Sequence, residues 1–194
     1  MPRRARSRTL YDGCFAHVYS RALEKRFIYR NENDFEYFKN QLRQSRDAFG
    51  YKIHHYCLMH THFHLVVSIE SLGEFSKALK KLKQDYTKRF REKYKGKGPV
   101  WWGRFGSQLI ESARYLYACG LYIEMNPVKA GIVEKAEDWE YSSSRHYFMG
   151  KSDELVSPYE KPSYNTAMEL TEGLNVGRGA YIGTPVFILN RGGE

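Results

Sequence analysis

The sequence contains no long apolar run. A helix that crosses a bilayer needs roughly 20 consecutive apolar residues, and none of the 194 residues lies in such a stretch. The start, Met1-Pro2-Arg3-Arg4-Ala5-Arg6, lacks the apolar segment of a secretory signal. Cysteine is also scarce. Cys14, Cys57 and Cys119 are odd in number, widely spaced and form no Cys-x-x-Cys pair. This predicts free thiols in a reducing cytoplasm and excludes a disulfide frame or a zinc knuckle. Together these absences predict a cytoplasmic protein without a membrane partner.

Acidic residues are under-represented as well. The chain carries 31 Lys and Arg against 22 Asp and Glu, a net charge of +9. The imbalance is uneven: four basic and six acidic residues follow Gly150, leaving 27 basic against 16 acidic before it. Hydrophobic residues make up 42% and aromatics 15%, enough for a real core. A basic body rich in Tyr and Phe suits a polyanion with stackable bases. The composition divides the chain into a body, residues 1–150, and an extension, residues 151–194. In the extension Ser157-Pro158 and Lys161-Pro162 read as linker, and Tyr181 to Leu189 as a short strand.

Taken in order, Cys14 to Ser20 reads as a first strand. Asn31 and Asp34 read as a capping box opening a helix, with Phe35, Phe38, Leu42 and Phe49 at helical spacing and Gly50 as its stop. Tyr51 to Met59 is a second strand, followed after His60-Thr61 by a third, so the two predict a hairpin with poor turn chemistry. Ser71 and Glu74 form another capping-box pattern, and Phe75, Leu79, Leu82, Tyr86 and Phe90 mark the buried stripe of the second helix. Its other faces carry Lys77, Lys80, Lys81, Lys83, Lys88, Arg89, Arg91, Lys93, Lys95 and Lys97 against three acidic residues. That excess predicts a phosphate-binding surface as well as a solvated face. Val100 to Ile110 reads as a fourth strand, whose Trp101 and Trp102 beside Arg104 suit either base stacking or core packing. Ser112 caps a third helix running to about Met125, before Pro127. The order strand–helix–strand–strand–helix–strand predicts an α+β, ferredoxin-like βαββαβ antiparallel sheet with an added helix on its free face.

The third strand carries the chemistry. Phe63, Leu65, Val67 and Ile69 alternate with His62, His64, Val66 and Ser68, so one face enters a core and the other presents two adjacent imidazoles. Two such rings suit one metal ion between them, or hydrogen bonds within the fold. Further on, Tyr122 and Asn126 share a helix face at i, i+4.

Several motifs occur in one order: Pro2-Arg3-Arg4, His62-Phe63-His64-Leu65, Gly103-Arg104-Phe105, Asn126-Pro127-Val128-Lys129-Ala130-Gly131, Asp138-Trp139 and Ser142-Ser143. Over roughly residues 1 to 150 the sequence resembles the HUH single-tyrosine transposases of the insertion-sequence 200 type, nearest to their REP-associated tyrosine transposase branch. The resemblance implies a DNA transposase that nicks and rejoins single-stranded hairpin DNA through a covalent 5′-phosphotyrosine, acting as a monomer or homodimer. It implies Tyr122 as nucleophile, and His62, His64 and Asn126 as ligands of a divalent metal, Mg2+ or Mn2+. Lys77, Lys80, Lys81, Lys83, Lys88, Arg89, Arg104 and Lys129 are the DNA-binding candidates. One departure is that the family has Pro-Asn where this sequence has His60-Thr61, creating a second His-x-His from His60 and His62. Phe63, apolar between its histidines as the motif requires, favours His62 with His64.

Two other classes fit part of the pattern. His60-Thr61-His62-Phe63-His64-Leu65-Val66 is similar to the histidine-triad motif of nucleotide hydrolases and transferases, which use a histidine nucleophile without metal. A catalytically inactive, domesticated nucleic-acid binder fits the charge and the fold.

Overall fold

The computed structural model describes residues 10–157 and 159. Four strands, Cys14–Arg21 (β1), Lys52–Met59 (β2), His62–Ile69 (β3) and Gly106–Ile110 (β4), form one sheet in the order β2-β3-β1-β4. Every neighbouring pair is antiparallel. With helices Glu32–Phe49 (α1) and Leu72–Tyr94 (α2) in the crossovers, this is the ferredoxin-like arrangement expected from the element order. Three further helices follow: Ala113–Glu124 (α3), the single turn Asn126–Lys129 (α4) and Ser144–Met149 (α5).

Strand alternation divides the sheet as the sequence requires. Phe63, Leu65, Val67 and Ile69 enter one core with Phe35, Phe38 and Leu42 of α1 and with Phe75, Leu79, Leu82, Tyr86 and Phe90 of α2. Each fully buried Leu, Ile or Phe there contributes about 1.5–3 kcal/mol. Val66, from the other face of β3, joins Ile110, Leu116, Cys119, Tyr122 and Ile123 in a second cluster. The third helix therefore covers the reverse face, above the histidines.

The β2–β3 turn falls at His60-Thr61, since Met59 pairs with His62. Neither turn residue has positive φ, so the tight hairpin geometries that favour Asn-Gly are not used. The chain between β1 and α1 holds the turn instead. The His60 carbonyl accepts the N–H groups of Ile28 (2.8 Å) and Tyr29 (3.2 Å), and the Thr61 carbonyl accepts that of Ala22 (2.7 Å). The His60 ring completes the strap, its Nδ1 2.8 Å from the Tyr29 carbonyl.

Two helix starts differ from expectation. Neither Asn31 nor Ser71 caps through its side chain. Asp34 accepts from the Arg30 N–H and from Lys93 across the core, and Asp12 takes the first N–H of α2, at Leu72. Ser112 does cap α3, accepting from the Tyr115 N–H at 3.1 Å.

The fourth strand is also shorter than Val100 to Ile110. Trp101 makes an isolated bridge to Ala22 and is buried, its indole N–H donating to the Lys83 carbonyl. Gly103, at φ +65°, then breaks the extended run. Beyond residue 150, Leu155 and Val156 enter the first core and the Ser157 N–H bonds the Ile53 carbonyl on the outer edge of β2. The strand expected at 181–189 lies outside the described residues.

The seating of α3 depends on one glycine. A Cβ at Gly120 would lie 2.5 Å from the His55 ring, too close for any side chain. Gly120→Ala should therefore cost roughly 1–3 kcal/mol through overpacking, read as a lowered midpoint in thermal denaturation. A mutant that melts with the wild type would show that α3 is free to move off β2.

Candidate active site

Pairing of β1 on β3 sets Tyr19 opposite His64 and Arg21 opposite His62. The two β3 imidazoles lie 5.1 Å apart, nearly perpendicular at 88°. Each has its Nδ1 engaged: the Thr61 hydroxyl lies 2.9 Å from His62 Nδ1, and His17 Nε2 lies 2.9 Å from His64 Nδ1. Both Nε2 atoms therefore remain for an external ligand. Burial keeps these rings neutral. It lowers the pKa of His17 and of His62 to about 4, and that of His64 well below its ordinary value, with the charges of His62 and His17 adding to the effect. Neutral imidazoles offer a lone pair, which is what a metal requires.

His17 was not singled out from the sequence. It lies 47 positions from His64 in the chain, and only the strand register brings the two together. Its Nδ1 is buried with no hydrogen-bond partner. If the His64 proton sits on Nδ1 and is donated to His17, the His64 Nε2 is left as a bare lone pair. One missed signal was present: His17 and Tyr19 alternate onto the same face of β1 as the histidines of β3.

Tyr122 reaches this pair from α3. Its ring meets His64 edge-on at 6.5 Å, and the Lys129 ammonium lies 4.2 Å from its centroid. The fold thus brings the tyrosine and the histidine together within one chain. Burial raises the Tyr122 pKa, with a smaller contribution from Cys119, so the phenol is protonated at neutral pH. The Asn126 amide nitrogen donates to the carbonyls of Tyr122 (3.0 Å) and Ile123 (3.1 Å) at the end of α3. That leaves the amide oxygen to face elsewhere.

A buried polar cluster, unread in the sequence, anchors the same helix. Glu124 Oε1 lies 2.8 Å from His55 Nδ1 and accepts from the Ser143 hydroxyl at 2.6 Å. His55 stacks on Tyr147 at 4.3 Å and contacts the Tyr159 hydroxyl at 2.8 Å through Nε2. Polar groups this deep are tolerable only when hydrogen-bonded, so this contact fixes α3 against β2. The signal was a Glu within a helix that is otherwise apolar on that side.

The basic candidates separate. Lys77, Lys80, Lys81 and Lys88 are exposed on α2, on the sheet face opposite α3. Lys77 and Lys81 form ion pairs with Glu74 and Asp85. Arg89 packs over Tyr37 at 4.0 Å, and Arg104 is exposed on the loop before β4. Lys83 departs from expectation. It is 8% exposed, donates to the Gly103 carbonyl at 2.8 Å and lies 5.3 Å from the Trp101 ring centroid, so its charge is used inside the fold. Of the named cations, Lys129 is the one placed against Tyr122.

The sequence model of the family described as transposase IS200-like matches residues 11–126, from just before β1 to Asn126. This chain belongs to the IS200-like transposase family. A putative REP-associated tyrosine transposase of Haemophilus influenzae is 30% identical to this chain over 125 residues, covering 55% of this chain and 70% of the relative. A solved REP-associated tyrosine transposase bound to a REP hairpin shares the fold, with a TM-score of 0.61 and 18% identity over 84% of this chain and 94% of that one. The chain is thus related to DNA-processing enzymes and shares the fold of one of them.

The buried imidazoles give the transposase a pH signature. An unfolded histidine takes up a proton near pH 6.5, whereas folded His17 does so only at about 4. Between those values the unfolded state binds more protons. Stability is therefore full above about pH 6.5 and falls as pH drops, by about 1.4 kcal/mol per pH unit for each such histidine. Denaturant titrations at pH 7, 6 and 5 should show this decline, and His17→Phe should make it shallower. An unchanged slope would mean that folded His17 protonates normally.

Proposed function

We propose that this transposase nicks and rejoins single-stranded DNA bearing a hairpin, with Tyr122 as nucleophile. One juxtaposition carries the reading: a phenol delivered by α3 lies beside two neutral imidazoles on β3, at 6.5 Å from the nearer ring. The oxygen of Tyr122 forms a bond to the scissile phosphorus as the bond from phosphorus to the 3′ oxygen breaks. The phenolic proton leaves to solvent, and the departing 3′ oxygen takes a proton to become a hydroxyl. A 5′-phosphotyrosine remains. The Lys129 ammonium lies 4.2 Å from the ring centroid, and positive charge there works in favour of the phenolate, against the effect of burial. Because the phosphodiester energy is kept in the tyrosyl ester, attack by a 3′ hydroxyl rejoins a strand by the reverse step, with no external energy source.

The donors suit a divalent cation such as Mg2+ or Mn2+. His62 and His64 present neutral Nε2 atoms, and Asn126 has its amide nitrogen satisfied by backbone, which leaves its oxygen as the available donor. Among the described residues no group of three or more His, Cys, Asp or Glu side chains is arranged to hold a metal. Two imidazoles and one amide make an incomplete set that leaves room for phosphate oxygens. When bound there, such a cation supplies Lewis-acid withdrawal of charge from the phosphate. The histidine-triad reading finds less support, because the His60 ring is committed to the hairpin turn and stacks on Phe27 at 5.0 Å.

Incubation with labelled single-stranded hairpin DNA and Mn2+ or Mg2+, followed by denaturing electrophoresis, should yield a shifted protein band. Tyr122→Phe should abolish it while leaving the fold intact, as should His62→Ala and His64→Ala. Asn126→Ala should keep the band and raise the metal concentration needed. His60→Ala should lower stability yet retain chemistry. A band surviving in Tyr122→Phe would assign the nucleophile to another tyrosine, such as Tyr115 or Tyr117. No band in the wild type with a panel of hairpins would favour an inactive binder.

A further inference from the structure

Trp102 is placed differently from the other two tryptophans. Trp101 and Trp139 each commit the indole N–H to a backbone carbonyl, at Lys83 and Leu58. Trp102 is 48% exposed, a large apolar surface left to water. It is nevertheless held in place. Its backbone N–H donates to the Arg21 carbonyl at 2.9 Å, which fixes the loop, and the Arg21 guanidinium lies 5.2 Å from the ring centroid. Arg21 is the register partner of His62, so this aromatic–cation pair stands at the end of the sheet beside the histidines. On the other side, the loop of residues 99–105 forms one wall of a groove of ≈ 910 Å³ along α2. Lys80, Lys88, Arg91 and Arg104 line that groove against a single acidic residue, Glu92, with Leu79 and Phe105 among its apolar walls. A fixed aromatic face beside a cationic channel is the chemistry of single-stranded nucleic-acid binding, where bases stack and phosphates meet cations.

We propose that the 99–105 loop is a clamp for single-stranded DNA. Trp102, flanked by Arg21, takes an unpaired base beside His62, and the cations of the groove behind the loop take neighbouring phosphates. This rests on the reading of the site given above only in placing the strand at the histidines.

The test uses the full-length chain with Tyr122→Phe to prevent turnover, without metal. Two probes of equal length are compared: a single-stranded thymidine oligonucleotide, and one with abasic positions throughout. The base-bearing probe should quench tryptophan fluorescence, and Trp102→Phe should remove that quenching while keeping most of the affinity. Trp102→Ala should weaken binding of the base-bearing probe roughly tenfold and leave the abasic probe unaffected. Lys88→Gln combined with Arg104→Gln should weaken both probes and reduce the slope of log affinity against log salt by about 1.4, as expected for two lost phosphate contacts on a single strand. Wild-type affinity of Trp102→Ala for the base-bearing probe would overturn the clamp, as would equal effects on both probes. An unchanged salt slope would remove the groove from it. If Tyr122-intact protein forms no covalent adduct yet Trp102→Ala still discriminates the probes, the catalytic reading fails and the clamp stands.

Discussion

The antiparallel register of β1 on β3 is the constraint on which the site depends. It sets His17 beside His64, Tyr19 opposite His64 and Arg21 opposite His62. A slip of one residue would turn every side chain of β3 to the opposite face, placing imidazoles in the core and Phe63 and Leu65 in the site. That error is prevented by the apolar face itself, since Phe63, Leu65, Val67 and Ile69 are all buried against α1 and α2. Close packing is local as well. A Cβ at Gly106 would come within 2.3 Å of the Tyr19 ring, so the absence of a side chain there lets the ring lie across β4. The same burial that stabilises the fold also fixes where the chemistry can occur.

Desolvation links the fold to the proposed mechanism. Three imidazoles with lowered pKa values lie under α3, so the site presents lone pairs in place of positive charge. The same desolvation works against Tyr122 by favouring its protonated form. A phenol disfavoured as an anion therefore lies beside a neutral imidazole and one ammonium. The His55–Glu124 contact and the close approach of Gly120 keep α3 from relaxing this arrangement. A buried polar cluster holds one side of the helix, and Tyr122 stands on the other.

Much of this was legible in the sequence because it is periodic. The alternation in β3 gave the two faces, the spacing of Phe35, Phe38 and Leu42 gave α1, and Ser112 marked the start of α3. Features that depend on distant partners were not legible. Asp34 and Asp12 serve groups other than those their local patterns suggest. The His60-Thr61 turn is held by the chain at residues 22–29. Val100 and Trp101 look like strand residues because they are buried, yet they belong to a loop. Lys83 was open to a better reading: it lies within the i, i+3, i+4 stripe formed by Leu79, Leu82 and Tyr86, and its aliphatic stem takes the buried position of that pattern. His17 and Glu124 left only a local hint, a shared strand face and a lone Glu in an apolar helix, because each acquires its meaning from a residue 47 or 69 positions away.

The proposed divalent-cation site joins His62, His64 and Asn126 beside Tyr122. Crystals of the protein soaked in Mn2+, with data collected near the manganese absorption edge, test it directly. The account predicts an anomalous peak at coordination distance from Nε2 of both histidines and from the Asn126 amide oxygen, absent in His64→Ala crystals grown alike. A peak at the buried His55–Glu124 pair instead, or no peak near His62 and His64 at saturating Mn2+, would contradict it.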